Sequence, residues 1–532
     1  MQTHICYNKL NSLYQNVKAF AAEKRFLMIV CKQKIGGKHV YSKALLLFLV
    51  LTFALSAFAG CGKTQQQESG SASAVDVSSE ESGFPLQDKN FGGKEITILC
   101  VYGGRTYGEL QFKSDSEITA NPINDAVENR NNLIEEKYGI TVKTIVDDAP
   151  AELFRRDINA GLQSYDMISD TIMALVPLIP EGVFLPLDDY IDLESPRWDR
   201  DANKTLTFND NHYLVAGDAI ITDDDYTYLL LYNKTMLASN PEIQQKYGDI
   251  YDLVRNGEWT FDIMMEMAKC FAQPDENGEW TADATYDVCG SANISNAFMN
   301  AAGLLPVRQT EDGLTLTIGT SENIRVFDKV YDMFSDKRTV MLVENFGSEG
   351  WDLVEQSFAK GRSLFYSTTA SKISQFKNFE SDVISFGVLP NPKYHKDQDR
   401  YYNTVNAGLA TVLAVAANND DRLEATCYLM ELMAYYGQNA PFQTVNDAYY
   451  QTTLKLQAVE SDDDAQMLDI VFNNRIYDTY AIMPWGSAPT VGQIYSYVLM
   501  QPSNTLVSVF DAHRESYEQG IRQTLETFAK MN

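Results

Sequence analysis

Residues 121–146, NPINDAVENRNNLIEEKYGITVKTIV, decide the fold class because a helical pattern there passes directly into a strand pattern. Apolar side chains recur at helical spacing, and Gly139 then predicts the end of the helix. The stretch that follows, ITVKTIV, predicts a strand. The apolar positions of the helix are Ile123, Val127, Ile134 and Tyr138.

The segments on either side continue this alternation. Before it, residues 93–110, GKEITILCVYGGRTYGEL, contain a β-rich run from Glu95 to Val101 that ends at two glycines. After it, a helix is expected around residues 151–162, followed by a short buried strand in YDMISDT, residues 165–171. Strand, helix, strand, helix, strand at this rhythm predicts a parallel, doubly wound α/β sheet.

Longer helices are expected later in the chain. Thr260 is the predicted N-cap of TFDIMMEMAKCFA, and Ser321 is the predicted N-cap of SENIRVFDKVYDMF. In DRLEATCYLMELMAYYG, Asp421 and Glu424 predict a capping box and Gly437 the end of the helix. This last helix is apolar nearly all round, so we expect it to be deeply packed.

The N-terminal region has the layout of an export signal. An apolar run at residues 44–59 follows several lysines and is shorter than the roughly 20 residues of a membrane span. Residues 1–60 are therefore predicted to be a signal peptide with an extended N-terminus, since Met28 would start one of ordinary length. The ending Phe58-Ala59-Gly60-Cys61 resembles a bacterial lipobox, with Phe58 where Leu is usual, and implies that Cys61 is lipidated.

An uncleaved membrane anchor is the alternative interpretation of this run. Both interpretations put the rest of the chain outside the cytoplasm. The polar tract that follows is rich in Gln, Ser, Gly and Glu, so it cannot bury enough apolar surface to offset its chain entropy. We therefore expect residues 61–90 to be a disordered tether behind the lipidated cysteine.

Charge and size narrow the function classes. The formal net charge is −29. Residues 1–60 contain eight Lys or Arg and one acidic residue, and without them 35 basic and 71 acidic residues leave a net charge of −36. Nucleic acid and anionic membrane surfaces are therefore poor partners. About 440 residues follow the tether, more than one core usually carries, which favours two domains.

The cysteines indicate a fold held by its core. Beyond the signal peptide and Cys61 they are Cys100, Cys270, Cys289 and Cys427, with no CxxC pair. Cys100 and Cys427 lie in apolar segments and are expected to be buried free thiols. Whether Cys270 and Cys289 pair stays open. We expect neither a metal nor another cofactor.

Several segments, in this order, carry a resemblance to a known family. They are YDMISDTIMALVPLIPEGVFLPLDDYIDLESPRWD, LLLYNKTML, YDLVRNGEWTFDIMMEMAK, FAKGRSLFY and ISFGVLPNPKY. The chain resembles the family 1 extracellular solute-binding proteins, the lipoprotein receptors of bacterial ABC importers, many of them for sugars. The resemblance covers residues 94–532.

This resemblance implies a two-lobed, periplasmic-binding-protein-like fold with the ligand held between the lobes. Two doubly wound α/β domains would be joined by three crossing segments. Lobe I would comprise residues 94–222 and 405–478, and lobe II residues 228–400 and 487–532. The crossings would lie near 223–234, 401–410 and 482–490.

Candidate ligand contacts follow from the rule that open α/β sheets bind ligands beyond the carboxyl ends of their strands. A sugar needs aromatic rings for its C–H faces and polar partners for its hydroxyls. The candidates are Tyr102, Gly104, Arg105, Asp170, Asp225, Tyr226, Tyr228, Trp351, Tyr366, Ser367 and Trp485. For several an alternative stays open: Tyr102 could anchor a loop, Arg105 could form a surface ion pair, and Asp223 to Asp225 could form a solvated face. Trp198 and Trp259 are expected to pack in the core.

Enzymatic motifs are not found in the sequence. His212, His395 and His513 lie far apart, and HExxH, GxSxG and a Gly-rich phosphate loop are missing. Ser357 and Lys360 match SxxK, but neither SDN nor KTG accompanies them. We therefore predict that the protein is not an enzyme. A secreted lipoprotein glycoside hydrolase stays an alternative, because two carboxylates suffice for that reaction.

The predicted function is that of a lipid-anchored, monomeric receptor on the outer face of the bacterial cell membrane. It would capture a polar small molecule, a mono- or oligosaccharide, by closing its lobes, and would deliver it to the membrane subunits of an ABC permease. A peptide-binding receptor and an adhesin are the further alternatives.

Overall fold

The computed structural model describes residues 86–102, 107–208, 210–310, 313–377 and 384–530. These residues belong to one compact unit, Ser82–Asn532. The predicted signal peptide, Cys61 and residues 61–85 of the tether lie outside the described residues, as do the candidate contacts Gly104 and Arg105.

The described part of the chain contains fifteen short strands. In chain order they are β1 Lys94–Val101, β2 Ile140–Asp147, β3 Met167–Thr171, β4 Thr207–Phe208, β5 Asn211–His212, β6 Tyr228–Asn233, β7 Tyr286–Gly290, β8 Val307–Thr310, β9 Gly313–Leu316, β10 Val340–Leu342, β11 Ser363–Thr369, β12 Phe386–Leu389, β13 Asn403–Thr404, β14 Thr411–Val415 and β15 Arg475–Ile476.

Helices surround and connect these strands. The α-helices are α1 Pro122–Tyr138, α2 Pro150–Asn159, α3 Ile172–Leu175, α4 Arg200–Thr205, α5 Thr222–Asp225, α6 Lys234–Ala238, α7 Pro241–Tyr247, α8 Ile250–Arg255, α9 Phe261–Ala268, α10 Ile294–Ala301, α11 Ser321–Phe334, α12 Gly350–Ala359, α13 Ser371–Lys377, α14 Leu423–Gln438, α15 Val445–Asp447, α16 Asp462–Phe472, α17 Ile494–Leu499 and α18 Leu506–Phe528. Other helical segments are the 3₁₀ turns Val176–Glu181, Val343–Glu349, Tyr480–Ile482 and Val491–Gln493, and the π-helix Ala448–Ala458.

The first sheet contains the strands predicted from the opening segments. Its order is β14-β3-β1-β2, and β1 pairs in parallel with both β2 and β3. Leu99 lies opposite Ile145 on one side and Ile168 on the other. This confirms the predicted parallel strand–helix alternation. β14 arrives from much later in the chain and runs antiparallel to β3.

The second sheet has five strands in the order β10-β7-β11-β6-β12. β7 pairs in parallel with β10 and β11, whereas β6 runs antiparallel to both β11 and β12. Phe365 on β11 lies opposite Val288 and Tyr232. All three side chains are buried, as expected for a sheet covered by helices on its faces.

Three segments connect the halves of the molecule in one narrow ribbon. Thr227 pairs with Val405, and β13 pairs in parallel with β15. The Val405 amide donates to the Ile476 carbonyl at 2.9 Å, and the Asn406 amide donates to the Tyr226 carbonyl at 2.9 Å. Segments 226–228 and 403–406 of this ribbon lie within the first two predicted crossings. Its third strand, 474–477, precedes the predicted third crossing near 482–490.

Helix α16 packs beside the second sheet, although the predicted boundaries assign it to lobe I. Asp464 on this helix accepts hydrogen bonds from the Val388 amide at 2.9 Å and from the Tyr251 hydroxyl at 2.5 Å. Its other oxygen pairs with Lys234 Nζ at 2.7 Å. These contacts join residues 460–472 to β12, α6 and α8.

Two of these predicted helix ends are confirmed and one is wrong. Gly139 ends α1 in the left-handed region (φ 61°), and Thr260 caps α9 through the Ile263 amide, both as predicted. Ser321 is not a cap, because Thr320 one residue earlier takes that role by accepting from the Asn323 amide at 3.3 Å.

Helix α14 is deeply buried, as predicted, but its ends were predicted wrongly. The predicted capping box is not formed, because Arg422 occupies the N-cap and Glu424 pairs with Lys89 at the surface. Gly437 lies inside the helix instead of ending it. A Cβ there would come within 2.0 Å of the Asp218 carbonyl oxygen, so the glycine permits a close backbone approach.

The cysteine and tryptophan predictions agree with the structure where they were definite. Cys100 and Cys427 are buried free thiols. Cys270 is exposed and Cys289 buried, and both are free, which answers the open question. Trp198 and Trp259 are buried in the core. No helix in the described part of the chain is both long and apolar enough to cross a membrane.

Candidate functional site

The ribbon of crossing segments lies at the edge of each sheet where its parallel strands end. β6 starts at Tyr228 on the carboxyl edge of the second sheet, because it runs antiparallel to β11. β14 likewise starts on the carboxyl edge of the first sheet, just after Asn406. Asn406 Nδ2 donates to the Tyr228 hydroxyl at 3.3 Å, so this one hydrogen bond joins the two edges.

Large apolar side chains are exposed along both edges. Tyr102, directly after β1, is 58% exposed, and Met173, two residues after β3, is 52% exposed. On the second sheet, Trp351 is 54% exposed in the first turn of α12, which follows β10. Two aromatic rings and a thioether are thus available where an open α/β sheet binds ligands.

Trp351 is positioned by the start of its helix. Gly350, the residue before it, has no room for a side chain, because a Cβ there would lie 2.1 Å from the Val343 carbonyl oxygen. The helix therefore begins in tight contact with the preceding 3₁₀ turn, and the first turn of α12 holds the indole at the carboxyl edge.

Polar groups surround Tyr228 on the second sheet. Burial raises the pKa of Tyr228 to about 12; the nearby Glu344 carboxylate adds to this rise, and a hydrogen bond with Asn293 opposes it. Glu344 Oε2 accepts from the Ala292 amide at 2.8 Å. The exposed carboxylate of Glu344 is therefore held beside the tyrosine at the carboxyl edge.

Both oxygens of the Asp170 carboxylate accept hydrogen bonds from backbone amides. It is 4% exposed, and its two oxygens accept from the Thr171 amide at 2.7 Å and the Ala151 amide at 3.3 Å. Its role here is to hold the start of α2 against the end of β3, which shapes the edge beside Met173.

The sequence now gives a decisive match to a known family. The family model of bacterial extracellular solute-binding proteins matches residues 120–440, more than half of the 532 residues. The chain belongs to this family. Membership implies a location outside the cytoplasm, and the family consists of binding proteins, not enzymes.

Solved structures share the two-lobed fold of this solute-binding protein. One is the maltose/maltodextrin-binding domain MalE from Bdellovibrio bacteriovorus bound to maltotriose, with a TM-score of 0.50, 14% identity, and coverage of 80% of this chain and 100% of that one. Another is the cyclic alpha-maltosyl-1,6-maltose binding protein from Arthrobacter globiformis, with a TM-score of 0.50, 12% identity, and coverage of 82% and 99%. Among curated protein sequences, none matches the chain significantly.

Besides Asp170 and Asp225, four sequence-predicted contacts of the solute-binding protein are buried. Tyr366 packs against Phe358 at 5.4 Å between ring centroids, beneath α12. Ser367 is 5% exposed on the opposite face of β11, and Tyr226 is 5% exposed in the ribbon. Trp485 is 2% exposed; its Nε1 donates to Thr524 at 2.8 Å, and Gly520 leaves room for its ring. These four side chains pack in the interior of the described part of the chain.

The run Asp223 to Asp225 is not a solvated face. Asp223 and Asp225 are buried on α5, just before the first crossing. Asp225 Oδ1 accepts from the Tyr449 hydroxyl at 3.1 Å, and within the described residues Oδ2 has no hydrogen-bond donor. Asp223 and Asp224 turn toward a cation, because the side chain of Arg475, 19% exposed, lies next to them.

Arg475 binds the carboxylates that surround the crossing ribbon. Its Nη2 lies 2.9 Å from Asp199 Oδ2, and its Nη1 contacts Asp224 and lies 3.7 Å from Asp223 Oδ2. The Tyr477 hydroxyl donates to Asp199 at 3.0 Å and to Asp223 at 3.1 Å. The third strand of the ribbon is thereby attached to the helix that precedes the first.

Several buried carboxyl groups near the ribbon predict a pH-dependent stability. Burial raises the pKa of Asp218, Asp225 and Asp478 to about 7. In the unfolded chain these groups lose their protons near pH 4, so between about pH 4 and pH 7 the native state binds more protons. The free energy of unfolding should therefore fall as pH rises from 5 to 8, by up to about 1.4 kcal/mol per pH unit for each group. Urea denaturation at both pH values measures it.

The variant Asp225→Asn should reduce this pH dependence, because it removes one titrating group. Asp336→Asn is the matched control, since Arg338 lowers the pKa of this surface carboxyl and it does not titrate above pH 5. A midpoint that rises between pH 5 and pH 8 would contradict the assignment.

Several residues of the carboxyl edges were missed from the sequence: Met173, Asn293, Glu344, Glu355, Lys372 and Asn406. Asn406 meets Tyr228 from a distant part of the chain, so no local pattern could reveal the pair. Lys372 and Glu355 could have been found, since Lys372 follows β11 closely and Glu355 lies one helical turn beyond Trp351.

One cavity of the described residues reaches a carboxyl edge: a cavity of about 260 Å³ is lined by Leu342 at the end of β10, by Asn345 after it and by Met500. A cavity of about 390 Å³ is lined by Tyr232, Lys234 and Ile243. Tyr232 lies near the end of β6, on the opposite edge of the second sheet. Within the described residues, no cluster of three His, Cys, Asp or Glu side chains could hold a metal ion.

Proposed function

We propose that this solute-binding protein is a receptor that captures a mono- or oligosaccharide between its two lobes. The observation that carries the proposal is the placement of Tyr102 and Trp351. Both rings are more than half exposed, and they follow strands of different sheets at carboxyl edges that the Tyr228–Asn406 hydrogen bond joins. Exposed rings among carboxylates and amides suit the C–H faces and hydroxyls of a sugar.

Binding proceeds by closure of the lobes about the crossing ribbon. Ligand that touches both edges binds the closed form better and shifts the population toward it. Lobe I comprises residues 94–222 and 405–478, and lobe II residues 228–400 and 487–532. The contacts of Asp464 with Val388 and Lys234 support counting residues 460–472 with lobe II instead. The Arg475 cluster keeps the ribbon together while the lobes move.

The two similar structures support a sugar as the ligand. One was solved with maltotriose, and the other is named for a cyclic maltosyl-maltose. The protein acts as a monomer that is anchored through a lipid on Cys61 and the tether 61–90, and it delivers its ligand to an ABC permease. The lipobox-like sequence Phe58–Cys61 and the export signal before it support this anchoring.

A thermal-shift screen of the purified protein tests the proposal. The panel contains monosaccharides, oligosaccharides and peptides. A ligand at a hundred times its Kd should stabilise the native state by about 2.7 kcal/mol. The expected result is a shift with a saccharide that is recovered intact. A saccharide recovered cleaved would favour a glycoside hydrolase, a shift with peptides alone would favour a peptide receptor, and no shift would contradict the proposal.

A further inference from the structure

An ion pair includes a residue one helical turn from the exposed Trp351. Trp351 and Glu355 are one turn apart on α12, so their side chains share a face of the helix. Glu355 pairs with Lys372, the second residue of α13. The side chains of Glu355 and Lys372 are 17% and 19% exposed, so the pair is mostly shielded from solvent, whereas the Trp351 ring is more than half exposed.

Each member of this pair has a further polar neighbour. Lys372 Nζ also donates to Gln375 Oε1 at 2.7 Å. Glu355 lies near the buried hydroxyl of Tyr366: burial raises the pKa of Tyr366 well above its usual range, and the Glu355 carboxylate adds to the rise. Desolvation makes a partly buried ion pair less favourable than a surface pair. The position of this pair, one helical turn from an exposed ring, therefore suggests a role beyond stability.

The pair places a hydrogen-bond acceptor, Glu355, next to a hydrogen-bond donor, Lys372. A carboxylate only accepts, and an ammonium only donates. A sugar hydroxyl can donate to Glu355 while a neighbouring hydroxyl accepts from Lys372. A carboxylate on the same sugar ring could pair with Lys372, but it would meet Glu355 as a like charge.

We propose that Glu355 and Lys372 bind adjacent hydroxyls of the sugar ring stacked on Trp351, and so select a neutral sugar over a uronic acid at that position. This inference rests on the proposed function and deepens it. The two residues are specificity determinants, and the indole supplies the apolar contact.

Calorimetric titration with matched saccharides tests the inference. The probes are the neutral malto-, cello-, xylo- and galacto-oligosaccharides, each paired with a form that carries a uronic acid. The wild-type protein should bind at least one neutral member about 10-fold or more tighter than its acidic partner. Glu355→Gln should weaken the neutral member about 10-fold to 100-fold and reduce its advantage over the acidic one. Lys372→Met should weaken the neutral member similarly.

Glu266→Gln is the matched control, because Glu266 forms an ion pair with Lys246 at the surface, away from the carboxyl edge. It should change neither affinity nor selectivity. The thermal midpoint without ligand shows that each variant is folded. A merely structural pair would change that midpoint and leave the selectivity ratio unaltered.

Either of two results would overturn this inference and leave the proposed function standing. One is equal affinity of the wild-type protein for neutral and acidic saccharides. The other is wild-type affinity and selectivity in both Glu355→Gln and Lys372→Met, while Trp351→Ala loses binding. If no saccharide binds at all, the proposed function fails as well, so the two failures are distinguishable.

Discussion

Arg475→Met should lower the free energy of unfolding by about 3–5 kcal/mol. The guanidinium is the cation shared by Asp199, Asp223 and Asp224 at the crossing ribbon. Methionine keeps much of the volume but leaves these largely buried carboxylates without a positive partner. Breaking a buried ion pair costs far more than a surface pair is worth, because the remaining charges stay desolvated.

The loss should be larger at pH 8 than at pH 5. Near pH 5 the orphaned carboxyl groups can bind protons and so avoid the charged, buried state. Arg338→Met is the matched control, because Arg338 and Asp336 form a surface pair, with side chains 68% and 38% exposed. The control should change stability by less than about 1 kcal/mol. Urea denaturation of both variants measures the difference, and a loss below about 1 kcal/mol for Arg475→Met would contradict the role of the cluster.

Trp351→Ala should weaken saccharide binding by about 30-fold or more, the effect of losing a central aromatic contact of about 2 kcal/mol. The ring is 54% exposed, so its removal should cost little stability in the ligand-free protein. A large loss of affinity with an unchanged unfolding midpoint therefore identifies the indole as a ligand contact. Calorimetric titration with the saccharide found in the screen measures the loss.

Tyr497→Ala provides the comparison for this variant. Tyr497 is also an exposed aromatic residue, 45% exposed on α17, but it does not follow a strand at a carboxyl edge. It should bind the saccharide like the wild type. If Tyr497→Ala weakened binding and Trp351→Ala did not, the ligand would lie on another face of the protein.

The fold was predictable where local pattern and packing agree. In α1 the apolar spacing, the predicted stop at Gly139 and the following strand all indicated the same structure, which the first sheet confirms. The antiparallel strands β6 and β14 were not predictable as such, because their direction depends on where distant segments enter the sheets. Gly437 was misassigned as a helix end because a glycine at a close backbone approach and one at a C-cap look alike in sequence.

The site was predictable in outline only. The rule of carboxyl strand ends selected Tyr102, which the structure leaves exposed, but also Tyr366 and Trp485, which it buries. Trp351, which is also exposed, was a candidate because it follows Gly350. Alternation along β11 sends Tyr366 toward the helices, and the glycine at 520 that accommodates Trp485 is far away in sequence. A solvated face was the alternative for Asp223 to Asp225 because Arg475, the partner of Asp223 and Asp224, lies about 250 residues later.

Small-angle X-ray scattering with and without the saccharide tests whether the lobes close. The radius of gyration should fall at saturation, because the lobes close on a ligand that touches both carboxyl edges. Trp351→Ala at the same saccharide concentration should keep the larger radius. A wild-type radius that stays unchanged at full occupancy would contradict capture by lobe closure.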